Sequence, residues 1–96
     1  MVNLYEKPMY YAEFADKPID INSIIANESK IITICAYKAQ LYINKHYSAG
    51  GLSNDELKDM IQEVSICIMR AIDKYEKHTD VDFWAYMTEN IKHEAS

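Results

Sequence analysis

Apolar residues recur every three or four positions from Leu57 to Tyr75, and the positions between them are largely polar. At about 100° per residue, Leu57, Met60, Ile61, Val64, Cys67, Ile68, Ala71, Ile72 and Tyr75 share one side of a helix. Asp59, Gln62, Glu63, Ile66, Met69, Arg70 and Asp73 share the other. A purely solvated face does not place Ile66 at its centre with Met69 beside it. The pattern describes a helix that buries one side in its own core and offers the other to a partner protein. Ser53 and Glu56 are spaced for a reciprocal capping box at its start. Asp55 and Glu56 suit the positive pole of the helix and Lys74 and Lys77 the negative pole, so the helix is predicted to run to about Lys77.

Upstream, Ile31, Ile32, Ile34, Cys35, Ala39, Tyr42 and Ile43 form a broad apolar stripe, which predicts a helix from about Ser29, with Ser29 as its cap, to Tyr47. Gly50-Gly51 closes it, because glycine adopts the left-handed conformation that ends helices. A short helix over Asp20 to Ala26 has Asp20 or Asn22 as candidate caps. Downstream, a turn at Lys77-His78-Thr79-Asp80 leads to a last helix capped by Asp80 or Asp82. Its apolar arc is Phe83, Tyr86, Met87 and Ile91, with Trp84 at the margin. Before all of these, Pro8 and Pro18 interrupt regular structure, and Tyr5, Tyr10, Tyr11 and Phe14 are expected to fold back onto the helices. The expected layout is an irregular arm over residues 1–18 and an all-α bundle of three to four helices over 19–96.

Composition agrees with a single small domain: 96 residues, 49% hydrophobic and 26% charged, with two glycines and two prolines, and no run that alternates cleanly between polar and apolar. The core such a domain builds is modest, so its stability rests on good helix packing. A net charge of −5 argues against tight non-specific nucleic-acid binding by the chain on its own. The one stretch with surplus positive charge is Ser29 to Leu52, which holds Lys30, Lys38 and Lys45 and no acid. Cys35 and Cys67 lie on apolar stripes, as free, reduced thiols of a cytosolic protein do. The start MVNLYEKPMYY lacks a basic region followed by an apolar run, and no apolar run reaches membrane-spanning length, so a cytoplasmic protein without membrane contact is expected.

Catalytic chemistry has little to stand on. His46, His78 and His93 are far apart, and Glu89 with His93 four positions on makes at most half a metal site. Gly50-Gly51 is not followed by the Lys-Ser or Lys-Thr of a phosphate loop, and no Ser or Cys sits in a nucleophile context. No enzyme activity, metal or cofactor is expected.

The order D-x-I-Q-E, then I-M-R-A-I-D-K-Y, then a short loop and F-x-x-Y-x-x-x-x-I-K resembles conserved region 2 of the sigma-70 family of RNA polymerase sigma factors. It is carried by Asp59, Ile61, Gln62, Glu63, by the run Ile68 to Tyr75, and by Phe83, Tyr86, Ile91 and Lys92. Two blocks in the family's order at near-family spacing are more specific than one short motif. The resemblance implies that Asp59, Gln62, Glu63, Ser65, Met69 and Arg70, around Ile66, dock on the clamp helices, a coiled coil of the largest polymerase subunit. It also implies that the last helix faces the promoter −10 element, where aromatic side chains stack on separated bases. Phe83 and Tyr86 match the family's pair, Trp84 is an added aromatic, and Lys92 and His93 fall at DNA-contacting positions.

Departures from the family pattern qualify this. Glu89 and Asn90 stand in place of the adjacent tryptophans of primary members, Val81 where an aromatic is common, and Val64 and Cys67 where two glycines are usual. No helix-turn-helix domain for the upstream promoter element is expected within these 96 residues, so the layout is most similar to compact phage-type or split sigma factors, and a separate helix-turn-helix protein is the expected partner. Two other functions fit the same residues: a sigma mimic that occupies the clamp and inhibits host transcription, and a small helical adaptor unrelated to polymerase that uses its tyrosine-rich arm.

Overall fold

The computed structural model describes residues 2–15, 17–47, 49–75 and 80–95. Within them the chain forms α1 (Tyr11–Phe14), α2 (Ile21–Ala26), α3 (Glu28–Tyr47), α4 (Asn54–Tyr75) and α5 (Phe83–Ala95), with no strand among the described residues. The all-α expectation holds, with three substantial helices and two short ones. Lys77, His78 and Thr79, to which the predicted end of α4 and the following turn extend, lie outside the described residues.

Local chemistry sets the boundaries. The Asp20 side chain accepts from the Ser23 N–H and so caps α2. Asn27 joins α2 to α3: its N–H bonds back to Ser23 and Ile24, its side-chain amide donates to the Ser23 carbonyl, and its own carbonyl accepts the first bond of α3 from Ile31. Ser29, the expected cap, therefore lies one residue inside α3, where its carbonyl accepts from the Thr33 hydroxyl. The capping box forms as spaced: the Glu56 N–H bonds to Ser53 Oγ and the Ser53 N–H to Glu56 Oε1. Gly51, at φ +84°, turns the chain between α3 and α4, in a conformation that strains any residue with a Cβ. At α5, Asp82 is the cap, its carboxylate accepting from the Ala85 N–H at 3.0 Å.

The core lies where α3, α4 and α5 meet. Ile31, Ile34, Cys35, Ala39 and Ile43 of α3 pack with Leu57, Ile61, Val64, Ile68 and Ile72 of α4 and with Phe83, Met87 and Ile91 of α5, and Ile24 of α2 closes one end. Helix α4 makes its most extensive contacts with α3 and α5, which settles which of its sides is internal. Tyr75 holds the α4–α5 corner. Its ring meets Phe83 edge to face at 5.0 Å and Tyr86 at 5.3 Å, while its hydroxyl donates to the Val81 carbonyl. Both cysteines are free, Cys35 buried and Cys67 half-buried. No helix among the described residues is long and apolar enough to cross a membrane.

The N-terminal arm is a strap laid along α3, held by side-chain amides. Gln40 and Asn44 are buried, one turn apart on α3. Asn44 accepts from the Val2 N–H at 3.0 Å and donates to the Val2 carbonyl at 2.7 Å. Gln40 accepts from the Tyr5 N–H and donates to the Tyr5 carbonyl, both at 2.8 Å. Each amide thus pairs with a main-chain unit as a neighbouring strand would, satisfying buried polar groups on both sides. Lysines fix the rest of the arm by standing over its rings: Lys30 over Tyr10 and Phe14, and Lys38 over Tyr11. The surplus positive charge expected on α3 is in part used this way, not as a free basic face.

Candidate docking face

The core side of α4 follows the sequence pattern closely. Leu57, Ile61, Val64, Ile68, Ala71, Ile72 and Tyr75 are buried, while Met60 and Cys67 are half-buried. With that side packed, the second face points outward. Asp59, Gln62, Glu63 and Arg70 are exposed, and Ser65 is half-buried. Ile66 and Met69 are among the few large apolar side chains left in water, at 58% and 54% of full exposure. Single exposed apolar residues are common; two adjacent ones on the face opposite a complete core stripe form a patch.

Beside this patch lies a groove of about 500 Å³. Ile32, Thr33 and Ala36 line it from α3, Gln62, Ser65, Ile66 and Met69 from α4, and Tyr5 from the arm. Tyr5 crosses from one helix to the other: its main chain is held by Gln40, and its hydroxyl donates to Ser65 Oγ at 3.3 Å. The Ser65 hydroxyl in turn donates to the Ile61 carbonyl. A second hollow of about 580 Å³ is lined by Pro18, Asp20, Tyr75 and Asp82, among others, but Asp20 and Asp82 are already committed as helix caps.

The other expected surface does not form as described by sequence. Phe83 is fully buried, with Tyr75 and Trp84 around its ring. Trp84 is 8% exposed, and its indole N–H donates to the carbonyls of Phe14 and Lys17. Lys38 Nζ stands 4.7 Å from the Trp84 ring centroid. Neither ring has a face open to a base, which corrects the expectation that both stack on DNA: they are core residues, and Trp84 also anchors the end of the arm. Tyr86 is half-buried against Tyr75, and Lys92 and His93 are exposed. Lys92 sits 3.9 Å from Glu89 in an exposed pair, so the positive charge it offers is largely offset.

The thiols are kept neutral. Burial pushes the Cys35 thiol up to about 12, with Lys38 opposing. The Cys67 thiol is raised by burial and by the neighbouring Glu94 carboxylate. Neither environment activates a nucleophile. Among the described residues no group of three or more His, Cys, Asp or Glu side chains is arranged to hold a metal ion.

Sequence reasoning missed Gln40, Asn44 and the groove. The available signal was a pair of amides four apart inside the apolar stripe of α3, and small side chains (Thr33, Ala36, Ser65) beside large ones. No protein-family model, curated protein or solved structure matches this chain.

Proposed function

We propose that the chain is a protein-docking module that binds the clamp-helix coiled coil of the largest RNA polymerase subunit through the outer face of α4. The carrying observation is the exposure of Ile66 and Met69, at 58% and 54%, on a helix whose opposite side already fills the core. Fully burying an apolar side chain of this size is worth about 1.5–3 kcal/mol, and folding has left roughly half of that for a complex to gain. Asp59, Gln62, Glu63 and Arg70 around them provide the polar rim that sets register and steers encounter. The identity of the partner is supported by the D-x-I-Q-E and I-M-R-A-I-D-K-Y blocks of α4, whose Asp59, Gln62, Glu63, Met69 and Arg70 lie on this face. In this reading the protein acts in transcription initiation by positioning polymerase, with Tyr86, Lys92 and His93 toward promoter DNA and a separate helix-turn-helix protein supplying upstream recognition.

A second reading keeps the same docking face and reverses the outcome. Burial of Phe83 and Trp84, together with the net charge of −5, favours a sigma mimic that occupies the clamp without stacking on opened strands. The test is calorimetric titration of the full chain with a purified bacterial clamp-helix hairpin. Gln62→Ala combined with Glu63→Ala is expected to weaken binding by at least about tenfold, or 1.4 kcal/mol. Unchanged affinity overturns the interface, and failure of the unaltered chain to bind leaves the adaptor function in its place. Transcription in vitro then separates the two readings: activation of specific promoters marks the initiation factor, and repression of host promoters marks the mimic.

A further inference from the structure

We infer that the docking surface extends from α4 across the groove to the N-terminal strap, so that Tyr5 contacts the partner and the groove takes one bulky apolar side chain from a basic amphipathic helix. This rests on the reading of the outer face of α4 as the docking surface, and adds the groove beside it that Tyr5 lines.

Three observations carry the inference. Ile66 and Met69 do not form an isolated patch; they border a hollow of about 500 Å³ that Tyr5 also lines. Its lining includes Thr33 and Ala36, whose small side chains leave room for a leucine- or phenylalanine-sized group. Tyr5 is also set in place before any partner arrives. Gln40 holds its N–H and carbonyl at 2.8 Å, and its hydroxyl reaches Ser65. A wall fixed through its main chain loses little freedom on binding, which is how preorganisation raises affinity.

Charge identifies the kind of helix that fits. Asp59 and Glu63 lie on the same face as Ile66, two turns and one turn before it, and both are exposed. Among the described residues neither Asp59 nor Glu63 is in an ion pair, so both carboxylates can take a cationic partner. A helix that seats an apolar side chain beside Ile66 and places Lys or Arg one to two turns away satisfies both features.

The experiment titrates the full chain with the clamp-helix hairpin by calorimetry at low and at physiological salt. Variants are Tyr5→Ala, which removes the wall, Thr33→Trp, which fills the groove, and Lys45→Ala at the exposed end of α3 as a control. Circular dichroism melts accompany each, and if Tyr5→Ala releases the strap, Thr33→Trp decides. The groove variants are expected to bind at least about tenfold more weakly with Lys45→Ala unaffected, and binding is expected to weaken as salt rises. Wild-type affinity in a folded Thr33→Trp, while Gln62→Ala with Glu63→Ala still weakens binding, overturns the groove and leaves the α4 face standing. A hairpin that does not bind the unaltered chain at all overturns both.

Discussion

Helix α4 and the first turn of α5 each carry more apolar side chains than a single core stripe requires, and the fold disposes of the two surpluses in opposite ways. On α4 the inner side is complete without Ile66 and Met69, and both remain in water. On α5, Phe83 and Trp84 are adjacent and so point about 100° apart, yet both are buried. The difference comes from what lies over each flank. The arm ends against Trp84, offering two carbonyls to its indole N–H and Lys38 to its ring. Ile66 and Met69 stay more than half exposed, with Tyr5 of the arm lining only the groove beside them. An aromatic residue is therefore a poor marker of a binding surface when a strap of the same chain can close over it. An apolar residue centred on a polar face, opposite a finished core, is a better one.

Trp84→Ala breaks this comparison most severely. It empties a core site, removes the anchor for Phe14 and Lys17, and strips Phe83 of a ring partner 4.8 Å away. The expected loss of stability is about 3–5 kcal/mol, read by urea unfolding, against changes within about 0.5 kcal/mol for Met69→Ala. Similar small effects for both would mean that Trp84 is not covered. Gln40→Ala comes next. It leaves the Tyr5 N–H and carbonyl without their partner under partial burial, at an expected cost of about 1–3 kcal/mol, and faster amide exchange in the arm should accompany it.

An effect confined to alkaline pH separates the interior from the docking face. The Cys35 thiol is raised from its ordinary 9.0 to about 12, so the unfolded chain releases this proton at lower pH than the folded one. The stabilisation is complete below pH 9 and is lost as pH rises from 9 toward about 12, at about 1.4 kcal/mol per unit. Cys35→Ala should flatten that part of the alkaline unfolding curve relative to wild type; identical slopes would contradict the burial of this thiol. The least perturbing test is Lys92→Ala, expected to shift stability by less than about 0.5 kcal/mol because its pair with Glu89 is exposed and long.

How far the sequence could be read follows from the range of the interactions. Asp20, the Ser53–Glu56 box, Asp82 and Gly51 act within three or four residues, and each marks its helix end where local chemistry places it. The internal side of α4 was legible because 22 residues of steady period leave little ambiguity. The misplaced cap at Ser29 came from the competing Asn27, whose side chain serves the end of α2 while its carbonyl starts α3. What stayed hidden is long-range. Trp84 is covered by groups 67 and 70 positions away, and Gln40 and Asn44 are matched to arm residues 35 to 42 positions away. No helical period encodes those meetings, so the burial of Phe83 with Trp84 and the amide-held strap emerge only when the chain is folded. The groove is hidden for the same reason, since it depends on small side chains of two helices and a tyrosine of the arm coming together.

The most direct measurement is the affinity of an Ile66→Glu, Met69→Glu double variant for the clamp-helix hairpin, taken with its unfolding curve. The substitutions lie on the outer face, so stability should stay within about 1 kcal/mol of wild type while affinity falls by about a hundredfold or more. A folded double variant that binds the hairpin as tightly as wild type would contradict the claim that this side of α4 is the contact surface.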